Sequence, residues 1–285
     1  MTARPSTAAV RQIGPATGFF LVFFVVPLAI LFAMSFWTQD GFERIPGFDL
    51  ANYLKATTSR LYPAVLLRTI LVGFVTAAIV VPVAYALAWL MRFTFERRGR
   101  LILGVVLISL FSGYLVRIYA WRTILGTEGL LNAALLQLGL ISEPITALIF
   151  SPWAVMIVLV GLLLPLAVLP IWSAMTNVGR DHVEGARDLG ATGLRLHRTI
   201  ILPMVLPGVG TAFALSFVLA AGDFVVPTMV GGAQGGTMVG NLIANEFRGS
   251  GADWPMGAAL AFVIMGLLVL VHLVTTRLLR VVTRW

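Results

Sequence analysis

Apolar residues along the chain fall into six long blocks, at 15–37, 65–91, 101–125, 152–175, 204–226 and 256–276. Between them lie stretches where arginine, glycine, proline and acidic residues collect. Crossing a hydrocarbon core of ~30 Å takes about 20 predominantly apolar residues in a helix. Each block therefore predicts one transmembrane helix, and the expected fold class is an all-α polytopic membrane protein with six transmembrane helices, one domain over residues 1–285. The first block predicts a retained span and not a cleaved signal: its apolar part, Phe19 to Trp37, outruns a signal core, and no small-residue cleavage pattern follows. Residues 1–14 read as a polar terminal segment, frayed or forming a short interfacial helix. Between Thr38 and Pro63, Gly41, Pro46 and Gly47 punctuate an amphipathic stretch around Tyr53, Leu54 and Leu61, expected on the membrane surface. The run LLNAALLQLGL within 126–151 is too short to cross and predicts a surface or re-entrant helix.

Composition supports the bilayer. The chain is 59% hydrophobic and only 11% charged, with a mean hydropathy of +0.96, whereas soluble domains carry about 25% charged residues. The formal net charge of +8 does not point to nucleic acid, because the basic residues do not gather on a soluble face interleaved with aromatics. They report orientation instead. Arg4, Arg11, Arg92, Arg97, Arg98, Arg100, Arg180, Arg187, Arg195, Arg198, Arg277, Arg280 and Arg284 all fall on one side of the six-span scheme. Arg44, Lys55, Arg60 and Arg248 fall on the other. Short cytoplasmic loops retain Lys and Arg, so both termini and the loop after the fourth span are expected in the cytoplasm. Zero cysteines exclude disulfides, thiolate metal sites and cysteine nucleophiles. The three histidines, His182, His197 and His272, are too dispersed to propose as metal ligands, and the first two read as solvated loop residues.

The cytoplasmic loop 176–203 contains EGARDLGATGLRLHRTIILP, from Glu184 to Pro203, a polar, arginine-rich island between two apolar blocks. Asp181 is a candidate N-cap for a helix reaching Leu189, which places Glu184 in the favourable first turn of the helix dipole. Gly190 permits a sharp change of direction, a second helix starts from Thr192, Ile200 and Leu202 anchor the return, and Pro203 fits the first turn of span five. The spacing of Glu184, Gly185, Ala186, Gly190, Ile200, Leu202 and Pro203 resembles the cytoplasmic EAA loop of permease subunits in binding-protein-dependent ABC importers, with Gly185 standing where an alanine is usual. The resemblance implies a type I ABC importer permease fold and an elbow that docks on a separate ATPase, with Glu184 and Gly190 as its recurring features. The bland alternative is a basic loop that only enforces topology.

Three further segments, Pro82 to Phe93, Gly113 to Asn132 and Gly222 to Phe247, are similar to the spermidine/putrescine branch of these permeases. Asp223, followed by Phe224 near the outer end of span five, is a candidate pathway carboxylate for a cationic amine, or else a helix cap or the partner of an arginine. Tyr114, Arg117 and Trp121 share a helical face of span three, as pathway residues or as an interfacial belt. Arg117 argues against a polyamine if it faces the pathway unpaired. Glu246 is a second candidate carboxylate, or a solvated one. Gly231–Gly236 (GGAQGG) lacks the lysine of a phosphate loop and reads as a close contact at the outer gate, open to a docking binding protein.

The resemblance implies an inner-membrane permease subunit forming half of a translocation pathway, with a second permease subunit, two ATPase subunits and a periplasmic or extracellular solute-binding protein as partners. The solute expected is a polyamine; another organic ion or an amino-acid-like solute is the alternative. Lys55, flanked by Leu54 and Ala56, belongs to no P-loop. ATP and Mg are thus expected on the partner ATPase, with no cofactor on this chain and no enzymatic activity of its own. An ion-gradient-driven secondary transporter is the rival from a different class, disfavoured by the scarcity of acidic residues in the spans.

Overall fold

The computed structural model describes residues 7–232, 235–248 and 251–282. Arg4 and Arg284, and Ala233 and Gln234 of the glycine-rich stretch, lie outside the described residues. Helices follow in the order α1 (Thr7–Phe20), α2 (Val26–Met34), α3 (Ala51–Thr58), α4 (Tyr62–Trp89), α5 (Glu96–Phe111), α6 (Tyr114–Leu125) and α7 (Leu130–Gln137). They continue with α8 (Pro152–Thr176), α9 (Arg180–Asp188), α10 (Gly193–Leu196), α11 (Leu202–Gly222), α12 (Val239–Glu246) and α13 (Trp254–Val282). Two three-residue strands, β1 (Thr38–Asp40) and β2 (Glu43–Ile45), interrupt the all-α pattern as an antiparallel hairpin that pairs Gln39 with Arg44. Its turn passes through Gly41, whose φ of 58° falls in the left-handed region where glycine is favoured.

Among the described residues, five helical stretches are long and apolar enough to span: Gly14–Met34, Tyr62–Thr94, Pro152–Thr176, Gly193–Gly222 and Trp254–Arg277. The third expected span differs. Instead of one helix over 101–125, α5 and α6 meet at Ser112–Gly113 with a bend of 99°. Both junction residues have extended ψ values, 132° and 133°, so the helical ladder is interrupted there. Glycine lacks helix propensity and serine competes for backbone hydrogen bonds, and the chain turns where the two adjoin.

The fifth span also departs from expectation, starting earlier. α10 runs into α11 through a π turn at His197–Ile201. Pro203 has no N–H for the carbonyl four residues back, and its ring would collide with that carbonyl, so the backbone widens just before it. A second π turn, Leu21–Val25, precedes Pro27 in the same way.

The chain divides into two compact units, residues 1–63 with 242–265, and residues 64–241 with 266–285. In the first, Ala56, Tyr62, Met256 and Leu260 form a small core. The Phe32 and Phe262 rings meet edge-on at 4.9 Å, and the Arg44 guanidinium lies 3.8 Å from the Trp254 ring centre. In the second, α8 and α11 form the most extensive helix pair. They approach so closely that a Cβ on Gly208 would lie 2.5 Å from the Pro170 carbonyl oxygen. Met91, Ile171, Met175, Ile201 and Val205 fill the core at one end of this pair; Ile118, Val155, Leu159 and Val226 fill it at the other. Outside these cores, long runs such as Phe19–Phe24 are solvent-free only in lipid, since a soluble surface does not tolerate apolar patches of that extent.

Candidate functional site

Two sites emerge in the larger unit. The first is the elbow. α9 begins after Gly179, whose ψ of 150° makes it the N-cap. Asp181 therefore lies inside the first turn and is not the cap, and Glu184 lies two residues further into the helix than expected. Val183 and Ala186, three apart, are buried against Met91, Met175 and Val178, while Glu184 on the opposite face is exposed. Glu184 lines a cleft of about 230 Å³ with Phe93, Arg180 and Arg187. A Cβ at Gly185 would meet open space, so the departure from the usual alanine displaces nothing.

Gly190 closes α9. Its φ is 83°, its N–H donates to the Arg187 carbonyl at 2.8 Å, and the Ala191 N–H donates to the Ala186 carbonyl at 2.9 Å. This is a Schellman cap, which satisfies terminal carbonyls and reverses the chain. The reversal leaves Leu189 90% exposed at the tip, an apolar knob beside charged residues. α10 then starts after Thr192, as expected. Ile201 is fully buried and Ile200 and Leu202 are partly buried, so the returning segment is anchored in the core. Pro203 sits within the continuous helix. His197 departs from the solvated reading: its Nδ1 shares a hydrogen bond of 2.8 Å with the Tyr85 hydroxyl, and its ring packs 4.5 Å from Trp89.

The second site is a cavity of about 580 Å³ whose walls include Tyr114, Arg117, Leu162, Val218, Asp223 and Phe224. Asp223 ends α11. Its Oδ1 accepts from the Val225 and Val226 amides at 2.8 and 2.9 Å, capping the helical segment 225–231, and its Oδ2 accepts from the Tyr114 hydroxyl. Tyr114 is the first residue of α6. The carboxylate thus joins the start of the 225–231 helical segment to the Tyr114 side chain of α6. Asp223 is therefore a helix cap, as one reading expected, and the capping carboxylate also lines the cavity.

Arg117 shares the cavity, donating from Nη1 to the Leu162 carbonyl at 3.4 Å, while its buried Nε has no hydrogen-bond partner. Trp121 packs on Gly161 of α8, where a Cβ would come within 2.5 Å of the indole. The Tyr114, Arg117 and Trp121 face therefore meets α8 and Asp223. The Phe224 carbonyl accepts from Asn241 at 3.0 Å. Glu246 belongs to the smaller unit, where it is partly buried and accepts from the Tyr62 hydroxyl at 3.1 Å, so it is not simply solvated.

Two polar residues escaped the sequence reading. Thr69, fully buried on α4, accepts from the Val239 amide at 2.9 Å. Asn241 caps Met238 and bonds both Phe224 and Thr228. Both hold the 224–241 segment in place. Of the glycine-rich stretch, Gly231 and Gly236 make a backbone contact that excludes any side chain, and Gly232, with φ of 68°, packs on Phe150.

Residues 14–284 match the family of binding-protein-dependent transport system inner membrane components. The chain is 34% identical over 266 residues to the spermidine/putrescine transport system permease protein PotB of Escherichia coli (strain K12), covering 92% of this chain and 95% of that protein. Its fold is similar to that of a bacterial ABC transporter involved in import of the acidic polysaccharide alginate, at 15% identity and a TM-score of 0.76, covering 96% and 98% of the two chains. A bacterial alginate ABC transporter in complex with a pentasaccharide-bound periplasmic protein matches at 14% identity and a TM-score of 0.75, covering 96% and 94%. With its spanning helices, its elbow and this match over nearly its whole length, the chain belongs to the inner-membrane permease components of binding-protein-dependent ABC importers.

Proposed function

We propose that this permease carries a polyamine such as spermidine or putrescine, forming half of the pathway beside a second permease subunit. Two ATPase subunits receive the elbow at Glu184–Pro203 in the cytoplasm, and a solute-binding protein delivers from the outside. Both termini are cytoplasmic. ATP and Mg act on the partner ATPases, and this chain breaks no bond. ATP binding closes the motor and moves the elbow, turning the cavity outward; solute enters from the binding protein and leaves inward on reset.

The observation that carries the solute class is the Asp223 carboxylate, held by Tyr114 and two backbone amides on the wall of a cavity in the membrane domain. A fixed anion there attracts a cationic amine, and an intramembrane charge is by default a functional one. The relation to PotB supports the same class. Arg117 in the same cavity supports a second reading, a zwitterionic solute of amino-acid type that engages both charges.

The test is ATP-dependent uptake of labelled spermidine into proteoliposomes holding the full complex. Asp223→Asn keeps the capping oxygen and removes the charge. It is expected to lower uptake at sub-saturating spermidine about tenfold, equal to ~1.4 kcal/mol. Glu184→Ala is expected to abolish uptake and the ATPase response to loaded binding protein. Normal uptake in both variants would refute both assignments. Wild type that moves an amino acid and no spermidine would select the second reading.

A further inference from the structure

Along α4 and the foot of the fifth span runs an open-sided groove of about 620 Å³. Val81, Tyr85, Trp89 and Leu90 form one wall, and Leu194 and Leu202 belong to the other. The polar atoms in its walls are turned on each other: the Tyr85 hydroxyl is bonded to His197 Nδ1 at 2.8 Å, and Trp89 covers the imidazole at 4.5 Å. The groove is therefore lined by carbon, and one of the residues that line it is a cation, the exposed Arg198. Arg195 is exposed one helical step away. From Val81 to Leu90 the α4 wall rises about 14 Å at 1.5 Å per residue, close to the ~15 Å depth of one leaflet of a ~30 Å core.

We infer that this groove holds an acyl chain of an anionic phospholipid from the cytoplasmic leaflet, its phosphate at Arg198 and its chain lying along Trp89 towards Val81. The cytoplasmic assignment rests on the orientation proposed above. Three features select this occupant. The groove is open to the side, as a lipid tail requires. The rise of its α4 wall is that of a leaflet. Its one lining cation, Arg198, can reach a headgroup from its exposed position, and basic residues between helices on the cytoplasmic side suit anionic headgroups. The lipid would bridge α4 to the π turn behind the elbow, so the strength of coupling to the ATPase would follow the anionic lipid content of the membrane.

The test uses the full importer. Native mass spectrometry of the detergent-purified complex reads retained phosphatidylglycerol, and proteoliposomes of phosphatidylcholine with and without phosphatidylglycerol read coupling. Ala86 lies on the groove wall and is exposed, so Ala86→Trp fills the groove without entering the core. Wild type is expected to retain phosphatidylglycerol and to couple more tightly in its presence. Ala86→Trp should lose both effects while keeping basal uptake in phosphatidylcholine. Arg198→Gln should bind phosphatidylglycerol about fivefold more weakly, the effect of one cation at an anionic surface, and Arg198→Lys should restore most of it.

Retention and stimulation unchanged in Ala86→Trp would overturn the proposal. So would a spin label at Ala86→Cys shielded from oxygen in the assembled complex, since the groove would then be covered by the second permease subunit. A wild-type complex that retains lipid in the groove but transports no polyamine would sink the solute assignment and leave the lipid site standing.

Discussion

At the scale of single residues, two glycines with opposite surroundings make the packing argument quantitative. Gly208 has the Pro170 carbonyl where a Cβ would be, at 2.5 Å, and the Ala174 methyl at 2.6 Å. Gly208→Ala must push α8 from α11, and overpacking of this kind costs about 1–3 kcal/mol. Gly185 has open space around it, so Gly185→Ala on α9 should gain up to ~1 kcal/mol of helix propensity. Thermal unfolding of the purified complex should place the first variant below wild type and the second at or above it. A Gly185→Ala variant that is stable but poorly coupled would show that the open face receives a partner. Neither contact was legible in the sequence, since a glycine at a helix crossing and one on a free face look alike in a string. Asp223 was half legible: its rarity in an apolar span marked it, but its Tyr114 partner lies 109 positions away, and no local pattern encodes such a distance.

At the scale of elements, the spans were readable because a bilayer demands a window of apolar residues whose length is set by its thickness, and five continuous stretches among the described residues meet that demand. The Ser112–Gly113 break was not readable, because membrane helices tolerate both residue types and the apolar block runs on across it. The three-residue strands fall below any periodicity signal. The elbow was the most legible element, since Gly190 and its small neighbours report a helix end directly. Its entry was misjudged because Gly179 took the N-cap that Asp181 was expected to fill. A prediction belongs to the π turn. With Pro203→Ala the missing N–H returns, and the turn between His197 and Ile201 should relax towards α geometry. That would rotate the elbow against α11. ATP hydrolysis should persist while spermidine uptake falls; unchanged uptake would mean the π turn carries no positional information.

At the scale of the whole molecule, the absence of cysteine in the sequence makes orientation directly measurable with single-cysteine variants. An impermeant maleimide added to intact spheroplasts should label Gln39→Cys and Glu143→Cys and spare Asp188→Cys and Arg100→Cys until the membrane is opened. Labelling of Asp188→Cys from outside would invert the topology and remove the elbow from the ATPase. The helix from Gly193 to Gly222 is continuous over 30 residues, about 45 Å at 1.5 Å per residue, with the elbow at one end and Asp223 just past the other. Near its middle Gly208 is pressed against Pro170 with no room for a side chain between them. α8 grips this rod along its length, with packed cores at both ends, so on the coupling proposed above a push received at the elbow reaches Asp223 through one body.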